Sequence, residues 1–378
     1  MIKSLILVRH AKTEPRSLEI EDHERQLTSA GIRSAKAALP RALALAENPS
    51  DYRIWSSPAV RAWQTAEFVA DAMGLTKIEQ NPNLYSSEVM ALRRMIDDEK
   101  GNLVMVGHNP YLEELADSLC PYHLKLNKCA VVCYTFPQGD LQSAELAWFV
   151  QGPDSSRWET LVALENALEA AARKASNATW AFFDDPKDPD RLHDVRVALR
   201  NCRTLIDFTE PYLKKKLLRR VRQTVEEFYE DTSDLRKLAI PSRTAEQYSS
   251  IPFVTPEAQR MYDRLRVMEA ERNRIIAKLQ TPARHKAFHE VNQAMRKPIW
   301  REQVEAEGIE KAELKRQFKK LKRAAKQARA DFEALPEDQR TSDVERKARK
   351  LEMRVDYLAE SMPTLFSKDI EADDDYSL

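Results

Sequence analysis

Short apolar runs and longer helical repeats alternate over the first 150 residues of the chain. Leu5–Val8 and Leu103–Val106 are apolar at every position, which is typical of strands buried on both faces of a parallel sheet. The remaining strand patterns cover 53–55, 129–136 and 144–150. The helical patterns cover 28–46, 58–73 and the residues after 110. This alternation predicts an α/β domain with a mainly parallel sheet and flanking helices.

Near residue 156 the apolar period becomes that of helices. Apolar side chains recur at helical spacing at Trp158, Leu161, Leu164, Leu168 and Ala172. Further helical patterns cover 190–208, 212–238, 256–279, 284–295, 309–335 and 342–361. No run in 156–361 is convincing as a strand, so the second half is predicted to be all-α. The final residues hold five acids and no base from Asp369 onward, which predicts a disordered acidic tail.

Composition supports two differently built halves. Six of the 7 glycines precede residue 153, where the strands are predicted to turn into loops. The 60 basic and 60 acidic residues cancel, which excludes a uniformly basic nucleic-acid binder. The sum conceals segregation, however, because 191–223 holds 10 bases and 3 acids, and 311–329 holds 9 bases and 1 acid.

Targeting signals and membrane spans are not visible in the sequence. The apolar run after Ser4 ends at Arg9, far short of a signal core, and no run approaches the roughly 20 residues of a membrane span. The cysteines lie in apolar surroundings without metal-site spacing, at Cys120, Cys129, Cys133 and Cys202. We expect a cytoplasmic protein with free thiols, no membrane partner and no metal.

Three polar clusters each follow one of the predicted strands. They are Arg9-His10, Ser56–Ala62 (which contains Arg61) and Gly107–Pro110 (which contains His108). The carboxyl ends of parallel strands meet at one edge of a sheet, where ligands bind, so the clusters should converge. Two histidines and two arginines around one pocket predict an anion site. There, a neutral histidine nitrogen could attack phosphorus without any metal or cofactor.

The same clusters resemble motifs of the histidine phosphatase superfamily, which has the phosphoglycerate-mutase-like fold. Leu7-Val-Arg-His-Ala11 looks like its RHG signature in the RHA variant, and the clusters around Arg61 and His108 match its later motifs. Asp22-x-x-Arg25-x-Leu27-Thr28-x-x-Gly31 is similar to the phosphohistidine-phosphatase-like branch. The resemblance covers about 1–153. It implies that His10 is phosphorylated and that Arg9, Arg61 and His108 form the pocket around it.

The acidic proton donor found in many members has two candidates in this sequence. Glu88 stands after the second arginine motif, and Asp22 lies near the first motif. Either carboxylate could equally be solvated and without a catalytic role. A phosphoramidate leaving group needs less help from an acid, because its nitrogen can already be protonated. A missing acid would therefore fit a phosphohistidine-like substrate better than an alkyl phosphate.

Two basic stripes distinguish the helical half. His193, Arg196, Arg200 and Arg203 fall within one arc of a helix, and few acids stand beside them. The basic character continues on the next helix at Arg219, Arg220 and Arg222. A second stripe comprises Lys315, Lys319, Lys322, Lys326 and Arg329. Like charges on one helix face repel each other, so the pattern favours an anionic partner over a merely solvated surface.

The first stripe also resembles the CHAD family, the conserved histidine α-helical domain. His-x-x-Arg-x-x-x-Arg-x-x-Arg is matched from His193 to Arg203, and the resemblance covers about 156–362. It implies two four-helix repeats around a basic cavity that binds inorganic polyphosphate. The second repeat departs from the pattern, because its histidine position is Ala312 and its first arginine position is Lys315. The second stripe could therefore bind by charge alone.

Together these features predict three segments, namely a phosphatase domain at 1–153, a polyphosphate-binding domain at 156–362 and the acidic tail at 363–378. The helical domain would bring the phosphatase to polyphosphate granules, or polyphosphate would itself be the substrate. One alternative is a non-enzymatic scaffold with a degenerate phosphatase domain. Another is a helical domain that binds nucleic acid, which the lack of aromatic residues between the basic ones disfavours.

Overall fold

A computed structural model of the chain describes residues 1–86, 88–248 and 256–366. The chain forms two compact units. The first comprises Met1–Val162 together with Ala306–Ile309, and the second comprises the remaining residues.

The first unit contains one six-stranded sheet. Its strands are β1 (Ile2–Arg9), β2 (Tyr52–Ser56), β3 (Ile78–Gln80), β4 (Gly101–Gly107), β5 (Val131–Thr135) and β6 (Glu145–Val150). Their order across the sheet is β3-β2-β4-β1-β5-β6. The first four strands in this order are parallel, whereas β5 and β6 pair antiparallel with their neighbours. The predicted mainly parallel sheet is confirmed.

Helices cover both faces of this sheet. They are α1 (Ser29–Leu43), α2 (Val60–Met73), α3 (Asn83–Ser86), α4 (Val89–Asp97) and α5 (Tyr111–Leu119). Alternate residues of β1 enter different cores: Leu5 and Leu7 pack in the core with α4 and α5, and Ile6 and Val8 pack in the core with α1 and α2. Burial on both faces explains why this strand is apolar at every position. The short strand β3 and helices α3 and α4 lack a clear sequence period and were not predicted.

The described part of the second unit is helical. Its helices are α6 (Ser156–Asp184), α7 (Pro189–Thr209), α8 (Lys215–Tyr248), α9 (Pro256–Leu279), α10 (Pro282–Arg296), α11 (Glu302–Glu307), α12 (Lys311–Ala334) and α13 (Ser342–Ser361). Helix α6 begins within the first unit. Helix α7 packs against α8 and α13, and α12 packs against α13. The predicted all-α half is confirmed, with four helices before residue 280 and four after it.

The end of the chain differs in part from the predicted tail. Residues 363–366 continue the fold, because Leu365 and Phe366 are buried and the Phe366 ring stacks on Phe318 at 4.2 Å between centroids. The rest of the predicted tail, 367–378, lies outside the described residues. Within the described residues, no helix combines the length and apolar character needed to cross a membrane.

Candidate active site and basic cavity

The three polar clusters of the first unit meet at the carboxyl ends of β1, β2 and β4. Arg9 pairs with Gly107 in the register of β1 and β4, so His10 and His108 leave neighbouring strands at equivalent positions. The His10 amide donates to the Gly107 carbonyl at 3.0 Å, and the two imidazole centroids are 4.8 Å apart. Strand register thus brings together the two histidines that the sequence places 98 positions apart.

His10 is held with one ring nitrogen ready to act as a nucleophile. Its side chain is 4% exposed, and Nδ1 donates a hydrogen bond of 2.7 Å to the Ala11 carbonyl. A carbonyl can only accept, so Nδ1 carries the proton and Nε2 carries the lone pair. Burial, followed by the charge of Lys128, lowers the pKa of His10 well below its usual value. The imidazole is therefore neutral near pH 7, as a nucleophile requires.

His108 is also kept neutral by its surroundings. A hydrogen bond of 2.8 Å joins its Nε2 to Ser57 Oγ, and the Tyr85 ring meets its face edge-on. Burial and the charge of Arg61 lower the pKa of His108 to about 3. Its Nδ1 has no hydrogen-bond partner among the described residues. One polar atom of this buried ring is thus available to a ligand.

Two arginines complete the pocket. Arg61 begins α2 with a buried side chain, and its Nη2 donates to Asp22 Oδ2 at 2.9 Å. Arg9 is fixed by donation from Nη1 to the Leu126 carbonyl. Nε of each guanidinium is buried and unpartnered within the described part of the chain. Two planar cations with open donors beside a neutral nucleophile suit a tetrahedral oxyanion such as a phosphoryl group.

The structure separates the two acid candidates. Asp22 accepts hydrogen bonds from Arg61, from Arg25 at 2.7 Å and from Tyr85 at 3.2 Å. Burial alone would raise the pKa of Asp22, but Arg61 and Arg25 lower it to about 2. The carboxylate is therefore ionised at neutral pH, and the geometry favours orienting Arg61 over donating a proton. Glu88 is exposed at the N-terminus of α4.

Asp22→Asn tests the orienting role. We expect a roughly 10- to 100-fold loss of kcat/KM, because Arg61 loses the anion that fixes its guanidinium. The dependence of the rate on leaving-group pKa should stay as in the wild type, measured with a series of aryl phosphates. If Asp22 donates the proton, that dependence will instead become steeper, since poor leaving groups suffer most from a lost acid. Asp71→Asn, an exposed position on the same helix as Arg61, is the control.

Sequence reasoning missed Lys128 as a member of this site. Its Nζ lies 3.3 Å from His10 Nε2, in the loop before β5. Burial lowers the pKa of Lys128, and the charges of Arg9 and Arg61 lower it further, to about 8. Neither apolar period nor motif spacing marks this lysine. The one available signal is a lone base beside buried Cys129 in an otherwise apolar stretch.

In the second unit, part of the first basic stripe lines a cavity of about 290 Å³, here called the basic cavity. Arg200 and Arg203 contribute from α7, and Tyr229 contributes from α8. The last helix, α13, adds three cations that the sequence did not single out, namely Lys347, Lys350 and Arg354. A cavity with five cations from two helices is suited to a multivalent anion.

Acids of neighbouring helices neutralise some of these cations. Asp207 also lines the cavity and pairs with Arg354 at 3.2 Å, and Arg203 pairs with Glu226 at 3.0 Å. Within the described residues, no ion pair engages Arg200, Lys347 or Lys350; Arg200 Nη1 lies 3.5 Å from Met353 Sδ. These three cations are therefore the ones most accessible to an incoming anion.

The other predicted cations of α7 and α8 are distributed around this cavity. His193 is exposed, whereas the Arg196 guanidinium stacks on the Tyr229 ring at 4.8 Å and donates to Ser233 Oγ at 2.6 Å. Arg219 and Arg222 line a second cavity of about 540 Å³, which also contains acids. Arg222 pairs there with Glu210 at 2.7 Å and, on α7, with Asp207 at 2.9 Å. The side chain of Arg220 lies outside the described part.

The second stripe runs along α12. Arg329 forms a two-toothed ion pair with Glu352 of α13, at 2.6 and 2.5 Å. The other predicted members on this helix are Lys315, Lys319, Lys322 and Lys326, each of which has an interaction partner. Sequence spacing within one helix could not reveal such pairs, because the acids come from other helices.

Two family models match the chain, one in each half. The CHAD domain model matches residues 156–372, and the model of the histidine phosphatase superfamily (branch 1) matches residues 5–100. The chain therefore belongs to the CHAD family and carries a histidine phosphatase superfamily domain ahead of its CHAD domain. Comparison with curated proteins finds no match.

Solved structures similar to the chain are histidine phosphatases. The protein histidine phosphatase SixA complexed with tungstate is 22% identical and covers 39% of this chain and 97% of its own, with a TM-score of 0.34. A phosphohistidine phosphatase SixA from Agrobacterium tumefaciens is 21% identical, with coverages of 40% and 98% and a TM-score of 0.34. A mycobacterial glucosyl-3-phosphoglycerate phosphatase is 14% identical, with coverages of 40% and 98% and a TM-score of 0.31.

Proposed function

We propose that the first unit is a metal-independent phosphatase that forms a phosphohistidine on His10. The observation that carries this proposal is the hydrogen bond from His10 Nδ1 to the Ala11 carbonyl, which leaves the Nε2 lone pair for attack. Arg9, Arg61 and His108 would bind the phosphoryl oxygens. The positive charge that other phosphatases draw from metal ions is supplied here by side chains.

The reaction has two displacements at phosphorus. In the first, the Nε2 lone pair forms a bond to phosphorus as the bond to the leaving oxygen or nitrogen breaks. In the second, water attacks the same phosphorus, the P–N bond breaks, and Nε2 recovers its lone pair as inorganic phosphate leaves. The proton lost by water goes to the phosphate product or to solvent. His108, neutral and beside His10, would donate to the transferring oxygens from Nδ1 in the tautomer that protonates this atom.

The substrate class follows from the ionised state of Asp22. An alkyl oxygen leaves as an unstable alkoxide unless an acid protonates it, and Asp22, with a pKa of about 2, carries no proton at pH 7. A phosphoramidate nitrogen takes its proton from solvent before the bond breaks. We therefore favour phosphohistidine in a protein over a small phosphoester, and a phosphoester over polyphosphate.

For the second unit we propose binding of inorganic polyphosphate in the basic cavity. Polyphosphate carries about one charge per phosphate in a flexible chain, and the cavity offers cations from α7 on one side and α13 on the other. Arginine and lysine together would contact successive phosphates by forked donors and by point charges. The helical domain would recruit the phosphatase to polyphosphate, including cytoplasmic granules, where phosphorylated proteins are held.

Three substrates compared side by side test these proposals. Phosphate release is measured from a phosphohistidine protein, from an aryl phosphate and from polyphosphate, with equal enzyme and fixed salt. We expect the highest kcat/KM for phosphohistidine, and polyphosphate should bind without being consumed. Turnover of none of the three would favour a non-enzymatic scaffold. Tighter binding of nucleic acid than of polyphosphate at physiological salt would reject the polyphosphate ligand.

A further inference from the structure

Lys128 lies against the nucleophile of the site. The half-buried ammonium donates a hydrogen bond of 3.3 Å to Nε2 of His10, the nitrogen that carries the lone pair. This contact uses the same electron pair that would attack phosphorus. A cation in that place either blocks the reaction or takes part in it, and the answer depends on where the ammonium can move.

The backbone around Lys128 is fixed, whereas its side chain is not. The Cys129 amide donates to the Arg9 carbonyl at 3.1 Å, and the Arg9 amide donates to the Ala130 carbonyl at 3.0 Å. Cys129 has a left-handed φ of 62°, and Gly152 lies so close that a side chain there would collide with the Lys128 carbonyl. The loop thus holds the Lys128 Cα beside β1, while the four-carbon stem can reposition the ammonium.

Cations and neutral histidines surround this ammonium. The titratable and charged groups that act on it or are acted on by it are Arg9 and His10 at the end of β1, Arg25 in the following loop, Arg61 on α2, His108 after β4 and the adjacent Cys129 thiol. The nearest carboxylate in the pocket, Asp22, is engaged by Arg61 and Arg25. No described anion neutralises Lys128, so a bound anion would be its natural counterion.

We propose that Lys128 is a catalytic residue that passes its hydrogen bond from His10 Nε2 to a phosphoryl oxygen as phosphorus approaches. The proposal rests on the phosphatase function proposed above. The bond from Nε2 to phosphorus forms, the bond to the leaving atom breaks, and Lys128 keeps its proton throughout. Its weak contact with a neutral nitrogen is exchanged for a charge-assisted hydrogen bond to an oxygen that gains negative charge.

The geometry of displacement sets which oxygen Lys128 can reach. Attack in line places Nε2 and the leaving atom at opposite apices, with three oxygens around the equator between them. A donor that starts 3.3 Å from Nε2 is near the equatorial oxygens and away from the leaving atom. Lys128 would therefore stabilise the transferring group and would not protonate the leaving group. Its removal should affect good and poor leaving groups alike.

Three variants test the proposal in the full-length protein. Lys128→Met removes the charge, Lys128→Arg keeps it, and Lys125→Met changes an exposed lysine of the same loop as a control. With an aryl phosphate at pH 7, we expect Lys128→Met to lower kcat/KM roughly 10- to 100-fold. The change should be equal across leaving groups, and Lys128→Arg should restore a substantial part of the activity. Lys125→Met should match the wild type.

The pH profile separates a catalytic ammonium from a structural one. The free-enzyme pKa of Lys128 is about 8, so wild-type kcat/KM should fall as pH rises through 8 and the ammonium loses its proton. Lys128→Met should lack this fall, and Lys128→Arg should shift it to higher pH. Wild-type kcat/KM and an unchanged alkaline fall in Lys128→Met would overturn the proposal.

Binding of tungstate, an oxyanion that needs no turnover, separates failure of this inference from failure of the phosphatase function. Calorimetry should show at least tenfold weaker binding to Lys128→Met than to the wild type, by loss of one charge-assisted contact. An inactive wild type that still shows this difference rejects the phosphatase function and keeps the Lys128–anion contact. Equal tungstate affinity in an active wild type and in Lys128→Met rejects the contact itself.

Discussion

His10→Ala should abolish phosphate release, with a fall in kcat of at least about 10³-fold for both phosphohistidine and aryl phosphate substrates. No other described group combines an open lone pair, a neutral state and a place among Arg9, Arg61 and His108. Arginine and lysine are protonated in this pocket, and His108 Nε2 is engaged by Ser57. Without the imidazole, the reaction would need direct attack by water, for which the pocket provides no ionisable base on the open side of His10.

Two further measurements make this result specific. Brief reaction with substrate should leave acid-labile, base-stable phosphate on the wild type and none on His10→Ala. The free energy of unfolding should fall by about 1–3 kcal/mol, from a small cavity and the lost hydrogen bond to Ala11, so the variant stays folded. His123→Ala is the matched control, because His123 is an exposed histidine of the same unit that pairs with Asp117. Full residual activity in His10→Ala would remove His10 as nucleophile.

The triple variant Arg200→Gln/Lys347→Gln/Lys350→Gln should bind polyphosphate at least about 100-fold more weakly at 0.15 M salt. Each lost contact to a charged phosphate removes roughly 1.5 kcal/mol or more, and these are the cavity cations without an ion pair among the described residues. Polyphosphate binding releases condensed counterions, so the affinity should also depend less on salt. Taking the value of about 0.7 per contact for single-stranded nucleic acids, the slope should fall by about 2.

A second triple variant controls for net charge. Arg260→Gln/Arg264→Gln/Arg274→Gln removes three exposed cations from α9, which does not line the basic cavity. Binding is measured at fixed salt with polyphosphate of one length, and phosphatase activity toward an aryl phosphate is followed in parallel. The α9 variant should retain most of the affinity, and both variants should retain phosphatase activity. Equal losses in the two variants would mean that polyphosphate binds by net charge and not in the cavity.

The fold and the centre of the candidate site could be predicted because each depends on strong local patterns. Runs such as Leu5–Val8 are apolar at every position only where both faces of a strand are buried, and this located the central strands. A polar cluster directly after such a strand must lie at the carboxyl edge of the sheet. The meeting of His10 with His108 follows from these two facts alone.

The rest of the site depends on contacts that leave no local pattern. Lys128 reaches His10 through a loop whose path is set by the left-handed Cys129 and by Gly152. Asp22 was open to interpretation as an acid, because its partners Arg25 and Arg61 decide its pKa and only folding brings Arg61 to it. In the helical half, acids within one helix were considered, whereas Glu226 and Glu352 approach from neighbouring helices.

The basic cavity gathers its cations from helices far apart in sequence: Arg354 pairs with a residue of α7 that lies 147 positions earlier. Mutual repulsion between Arg200 and the α13 lysines works against the packing of these two helices. A bound polyanion reverses the sign of that interaction and acts as an electrostatic clasp between them. By mass action, the ligand then stabilises the closed arrangement, so the seating of the last helix and the occupancy of the cavity become a single thermodynamic event.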